Sequence, residues 1–251
     1  MDRLIYTSLT AMRGSMARQT AIANNLANAQ TPGFRADLAE AQSLWLNGAK
    51  EFGGASARAY ASEEVLAADM RSGTITATGR DLDVALAGDA MLVVQASNGE
   101  ESYTRRGDLM VSDSGLLTTG DGHPVQGASG PITIPPADSI SIDAEGRIHF
   151  VPPGGDPNAP QEIDRLRLAT PAGSDIVKGL DGLFRVKDSG ILPDDPDARV
   201  ITRSLEGSNV SATSALVEMI EASRSWDTQL KMIGDVRDMD SATAALMQLP
   251  Q

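Results

Sequence analysis

Apolar residues recur at alternating steps of four and three along both ends of the chain. At the start, Ile5, Leu9, Met12, Met16, Gln19, Ala23 and Leu26 keep this spacing. It places them on one face of a helix, with Gln19 as the polar member of the seam. Pro32 disfavours helical geometry at Thr31, and Gly33 follows at once, so the helix is predicted to stop near Asn28. At the other end, Leu216, Met219, Ser223, Trp226, Leu230 and Ile233 repeat the pattern, and Val217 and Ile220 widen the stripe. Ser208 or Asn209 is expected to cap this second helix, or Ser211 or Thr213 if it starts later. It is expected to continue through Val236, Met239 and Leu246, with Gly234 weakening its middle.

The stretch between the ends has a different period. Leu82 to Gln95 carries the alternating and continuous apolar runs of strands, interrupted at Gly88-Asp89. Turn signals then recur at Asn98-Gly99, Asp113-Ser114-Gly115, Gly120-Asp121-Gly122, Asp143 to Gly146 and Asp181-Gly182. Between them lie strand candidates at Leu109 to Val111, Ile132 to Ile134, Ile140 to Ile142, Arg147 to Val151 and Leu183 to Val186. The pattern predicts an antiparallel β domain. The Pro-rich stretches Val151 to Pro160 and Leu192 to Pro196 are expected to be surface loops. Residues Ala36 to Gly79, rich in Ala, Ser and Gly, are expected to form an extended arm with a short helix around Leu38 to Trp45.

Two terminal helices that flank an inserted β domain can bury each other as a pair, but two helices make little core. Further copies of the chain are expected to cover the rest, which favours a subunit of an assembly. Composition narrows the partners. With 21 basic and 34 acidic residues the net charge is 21 − 34 = −13, the wrong sign for nucleic acid or for a polybasic membrane anchor. Cysteine is absent, which removes disulfides and thiolate metal sites. No apolar run approaches the roughly 20 residues that cross a bilayer. Met1 to Thr20 has Asp2, Arg3, Arg13 and Arg18 spread among apolar residues, unlike a secretory leader. By composition the protein is cytoplasmic unless a dedicated machine exports it.

Catalytic and metal chemistry finds little support. His123 and His149 have no second His or Cys at ligand spacing, so zinc is not expected. HExxH, GxGxxG, P-loop and GxSxG motifs are absent. Asp194, Asp195 and Asp197 form the densest acidic cluster, but Arg199 stands where a calcium loop needs further oxygen donors, so a solvated loop is expected. Asp81 and Asp83 share one strand face, with Leu82, Val84 and Leu86 on the opposite, buried one, which makes Asp83 and Ala85 solvent-side positions. Asn209-Val210-Ser211 matches a glycosylation sequon by chance. No residue presents itself as catalytic, and no cofactor or metal is expected.

The segment Asn24-Asn25-Leu26-Ala27-Asn28, followed by Thr31-Pro32-Gly33-Phe34-Arg35, resembles the signature of bacterial flagellar rod and hook proteins. Three further stretches are similar to that family in the expected order. They are Leu82-Asp83-Val84-Ala85-Leu86-Ala87-Gly88-Asp89; Tyr103-Thr104-Arg105-Arg106-Gly107-Asp108-Leu109 with Asp113-Ser114-Gly115-Leu116-Leu117-Thr118; and Leu205-Glu206-Gly207-Ser208-Asn209-Val210, continued by Met219 to Arg224. The opening Met1 to Thr7 and the run Thr31 to Ala36 resemble members from the proximal part of the rod, the distal part being the alternative. Ala90-Met91 and Ser225-Trp226 depart from the family's usual aromatics in packing-compatible ways.

The resemblance implies an α+β subunit whose N- and C-terminal helices pair as an antiparallel layer, flanking the inserted antiparallel β domain with its arm. The expected divisions are 1–35, an assembly helix with its exit turn; 36–78, a bridging arm; 79–203, the β domain; and 204–251, the second assembly helix. Implied interface residues are Ile5, Leu9, Met12, Met16, Asn25, Leu26, Asn28, Pro32, Gly33, Phe34, Ser208, Asn209, Leu216, Met219, Ile220, Trp226, Leu230 and Ile233. Phe34 is expected to anchor the arm in an apolar pocket, and Ser208 and Asn209 to cap the last helix. Implied partners are copies of the chain, the neighbouring proximal and distal rod proteins and the flagellar export apparatus. Nucleic acid and direct membrane insertion are not expected. The place is the periplasmic rod of the basal body, reached without a cleaved leader, and the role is to transmit torque around the export channel. The competing class is a β module that grips a polymer such as peptidoglycan while its helices merely dimerise.

Overall fold

The computed structural model describes residues 2–43, 61–187 and 190–247, without the side chains of 2–10, 39–43, 61–67, 236, 240, 241 and 243–247. Two long helices, α1 (Asp2–Ala27) and α2 (Ala212–Met247), bracket a series of strands, and the fold is α+β. Among the described residues no helix is long and apolar enough to cross a membrane. The chain divides into two compact units, one of residues 1–27, 37–67 and 211–251 and the other of residues 28–36 and 68–210.

In the first unit α1 and α2 are in contact, and Gln229 Nε2 donates to Ser15 Oγ at 3.2 Å. The chain beyond α1 forms the strand Asp37–Ser43, which pairs with Ala61–Ala68. The short helix expected around Leu38 to Trp45 is therefore a strand through Ser43, and Trp45 lies outside the described residues. α2 begins one turn later than Ser208 or Asn209 would set it. Ser211 is the cap: its carbonyl accepts from Ala215 N at 2.9 Å and its Oγ from Ser214 N at 3.4 Å.

In the second unit every strand pair is antiparallel. The largest sheet has the order Leu168–Ala169, Met91–Gln95, Glu101–Thr104, Phe184–Val186, Ile176–Lys178. A second sheet joins Gln161–Arg165, Arg147–Val151 and Ser139–Ile142. Met91–Gln95 explains its own sequence. Leu92 and Val94 enter the larger apolar cluster with Leu109, Leu117, Val125, Ile132 and Ile148. Met91 and Val93, on the other face, meet Tyr103, Phe184 and Leu192. A strand buried on both faces reads as a continuous apolar run.

Several expectations are corrected here. Asp83 and Ala85 are buried, not solvent-side, because Val84–Leu86 is covered on both faces and Asp83 Oδ2 accepts from Thr78 Oγ1 at 2.7 Å. Leu192 is a core residue. Ile132 to Ile134 is tied by isolated bridges and by Ile132 N to Val125 O at 3.0 Å, without forming a strand. Ile75–Ala77 and Ser204–Glu206, on either side of the expected borders at 79 and 203, pair with each other.

Tyr103 gives this core a pH dependence. Its Oη donates to Glu101 Oε1 at 2.6 Å and accepts from Leu192 N at 2.8 Å. Burial, with the Glu101 carboxylate beside it, pushes the phenol from 10.0 up to about 12. Above pH 10 the unfolded chain loses this proton while the folded chain keeps it. The contribution is therefore whole below pH 10 and is lost as pH rises towards 12, roughly 2–3 kcal/mol in all. Urea unfolding of the wild type is expected to weaken across that window, and Tyr103→Phe to flatten the slope. Parallel slopes for the two proteins would refute the assignment.

Candidate functional site

Beyond α1 the chain turns on Asn28 and Thr31. Thr31 N donates to Asn28 O at 3.1 Å and Thr31 Oγ1 to Asn28 Oδ1 at 3.1 Å. Pro32 then delivers Gly33 into the β unit, where its N donates to Glu206 O at 2.7 Å. Gly33 has φ +67°, and a Cβ there would lie 2.4 Å from the Arg105 carbonyl, so only glycine fits. Phe34 is half-buried beneath Lys178, whose Nζ stands 3.7 Å from the ring centroid and donates to Arg35 O at 2.7 Å. The anchor expected of Phe34 is a cation–π contact, and the deeply buried residue is the next one, Arg35.

Arg35, Arg105 and Glu206 form an ion triad with side chains 2%, 2% and 1% exposed. Arg35 Nη1 meets Glu206 Oε1 at 2.7 Å. Arg105 donates to Oε2 from Nη2 at 2.6 Å and from Nε at 2.9 Å. Gly73 N adds a bond to Oε1 at 2.9 Å. Arg35 Nη1 also donates to Arg71 O and Arg105 to Leu86 O, Gly88 O and Ala90 O, while Arg35 Nε is buried with no hydrogen-bond partner among the described residues. Burial holds the Arg35 guanidinium below its ordinary range, against the pull of Glu206.

Asn209 completes the junction. Its Oδ1 accepts from Ala36 N at 2.7 Å, and its Nδ2 donates to Asp69 O at 2.7 Å and Arg71 O at 2.9 Å. It braces three segments and caps no helix, and Ser208 Oγ accepts from Val210 N at 3.2 Å. The Thr-Pro-Gly-Phe-Arg run, the Arg71–Gly73 approach, Arg105 and the Glu-Gly-Ser-Asn run are thus closed onto one carboxylate. The arrangement is a clasp. Its two cations face one anion, with donors and acceptors largely spent on each other.

Sequence reasoning named Gly33 and Asn209 but missed Arg35, Arg105, Glu206 and Gly73. The signal was present: each of the first three lies inside a quoted motif, and a charge embedded in an otherwise apolar or turn-forming motif asks for a buried partner.

In the first unit, Asn25 pairs with the backbone of Asp37 through two bonds, Nδ2 to Asp37 O at 2.9 Å and Asp37 N to Oδ1 at 2.7 Å. Asn24 reaches the Asp37 carboxylate. On α2 the covered stripe is Ala215, Met219, Ala222, Trp226, Gln229 and Ile233, whereas Leu216, Val217, Ile220 and Leu230 are exposed. On α1, Gly14, Ala21 and Ile22 are buried, Met12 and Leu26 half-buried, and Met16 is 57% exposed. The covered faces are offset from the expected seams, leaving part of each apolar stripe in solvent. Ile5 and Leu9 lie in α1, with side chains outside the described residues.

The acidic candidates are structural. Asp194 pairs with Arg167 at 2.6 Å, and Asp195 Oδ1 caps its own turn at Asp197 N and Ala198 N, both 3.1 Å. Asp81 pairs with Arg203 at 2.6 Å, and His149 Nε2 lies 3.2 Å from Asp143 Oδ2. Among the described residues no group of three or more His, Cys, Asp or Glu is placed to hold a metal ion.

The chain thus has a helical unit built from both of its ends and a β unit whose motif segments are closed onto Glu206. Three family profiles match these same stretches of the chain. One described as "Flagella basal body rod protein" matches residues 5–35. "Flagellar hook protein FlgE/F/G D1 domain" matches 85–150, and "Flagellar basal body rod FlgEFG protein C-terminal" matches 202–246. The chain is 38% identical to the flagellar basal-body rod protein FlgF of Salmonella typhimurium over 99% of its own length and 100% of that protein's. It is 39% identical to FlgF of Escherichia coli over 95% of each chain. Rod protein FlgG of Caulobacter vibrioides is 30% identical over 96% of this chain and 98% of its own. The chain belongs to the flagellar basal-body rod protein family, as a structural subunit and not an enzyme.

Proposed function

We propose that this chain builds the proximal part of the rod, with α1 and α2 paired antiparallel as the inner layer of a tube and the β unit outside it. The observation that carries this reading is the apolar surface the helices leave bare: Met16, Leu216, Val217, Ile220, Leu230, Met232 and Met239 are each between 46% and 62% exposed. A helix face of this kind in water asks for a second helix, and copies of the same chain supply one. The exposed members of the assembly set named from the sequence, Met16, Leu216, Ile220 and Leu230, would then meet neighbouring copies and other rod proteins. Residues 36–78 would bridge subunits. The 38% and 39% identity to FlgF of Salmonella typhimurium and Escherichia coli, against 30% to FlgG of Caulobacter vibrioides, favours the proximal position. The chain would reach the periplasm through the flagellar export apparatus.

Basal bodies from a strain lacking the gene test the reading by electron microscopy. Rods absent or cut short above an intact inner ring support it, and the truncation point separates proximal from distal. Complete rods and normal swimming would overturn it. Leu230→Asp is expected to abolish rod assembly while the β unit unfolds at its usual temperature.

A further inference from the structure

Gln229 is the polar member of the covered stripe on α2, flanked along it by Ala222, Trp226 and Ile233. Its Nε2 donates to Ser15 Oγ at 3.2 Å. Its Oε1 is shielded from solvent and has no hydrogen-bond partner among the described residues. Turning the amide over exchanges the roles but leaves the same deficit, because one hydroxyl serves only one end of the amide. A leucine at 229 would remove the orphan and suit the stripe. The polar pair therefore costs stability, and such a cost in a helix seam is the mark of a residue that selects one alignment over its neighbours.

We propose that Ser15 and Gln229 fix the axial register of the two terminal helices, the unmet end of the amide being the cost of that selection. The proposal rests on the pairing of α1 and α2 put forward above. Apolar side chains such as Met219, Trp226 and Ile233 tolerate a slip of one turn, since a slipped seam still buries similar area. The amide–hydroxyl bond survives only one alignment.

The absence of cysteine makes register directly measurable. Ile22 lies seven residues beyond Ser15, and Ala222 seven before Gln229, so an antiparallel pair in the correct register brings them to the same level. The full-length chain with Ile22→Cys and Ala222→Cys is oxidised, and the intramolecular cross-link is read on a non-reducing gel. It is expected to form with Gln229 in place and to fall by roughly tenfold in Gln229→Leu, without a lower unfolding temperature. An unchanged yield in Gln229→Leu overturns the register proposal and leaves the helix pair standing. No cross-link with Gln229 intact overturns the pairing itself, and the register proposal with it. Thermal unfolding and the Leu230→Asp phenotype, neither of which depends on register, separate a misfolded variant from a slipped one.

Discussion

Replacing Glu206 with glutamine is expected to destabilise the β unit by about 3–5 kcal/mol. The mechanism is the charge left behind, not the shape lost. Arg35 and Arg105 are each 2% exposed, and with the carboxylate gone two guanidiniums remain buried without an anion. The glutamine can accept at its oxygen, but its amide presents hydrogens to cations that already carry only donors. A folded domain commonly holds about 5–15 kcal/mol in total, so the variant is expected to sit near the edge of folding at 37 °C. Urea unfolding followed by circular dichroism measures the loss. Adding Arg35→Met to Glu206→Gln is expected to restore part of the stability, because it removes one uncompensated charge. A loss below about 1 kcal/mol for Glu206→Gln, or no recovery in the double variant, would mean that the triad is not what holds the segments together.

Gly73→Ala is expected to cost about 3 kcal/mol or more, for a different reason. A Cβ at Gly73 would fall 1.9 Å from the Gly207 carbonyl oxygen. That oxygen belongs to a backbone held by Gly207 N donating to Thr74 O at 2.8 Å, so it cannot swing away as a side chain would. Gly79→Ala supplies the control: Gly79 has φ +78° with nothing within 4 Å of an added Cβ. It should suffer only the conformational penalty, about 1–2 kcal/mol. Thermal unfolding distinguishes the two, at roughly 2–4 °C per kcal/mol for a unit of this size. Equal shifts would show that the approach of residue 73 to residue 207 is looser than its geometry states.

What the sequence disclosed follows from which forces act locally. Arg147–Val151 and Leu109–Val111 fall where alternation placed them, and the turns at Gly99, Gly115, Gly122, Gly146 and Gly182 carry positive φ. Turn chemistry and strand period are properties of neighbouring residues. The misses share one cause, burial decided by distant chain. Asp83 looks solvent-side by alternation, yet it is buried where Ser204, from far along the sequence, donates from N to Asp83 O at 3.3 Å. Glu206 looks like a helix-approach carboxylate until Arg35 and Arg105 arrive. Asn209 looks like a cap, because Asn near a helix start usually is one, and only the approach of Ala36 and Asp69 gives it other work. On α2 the heptad was legible, but which of two adjacent apolar stripes is covered depends on the partner helix. For the candidate site, the motifs were visible while their meeting point was not.

The order of the clasp residues along the chain has a consequence for how the protein comes into being. Arg35 is made early, Arg105 midway, and Glu206 shortly before α2. A polypeptide emerging from its N-terminus, from a ribosome or a narrow conduit, carries two cations with no anion to close on until Ser204–Glu206 has cleared the exit. Closure is therefore a late event, governed by the slow meeting of residues far apart in sequence. Until it happens, the segments around Arg35, Gly73 and Arg105 have no carboxylate to close on.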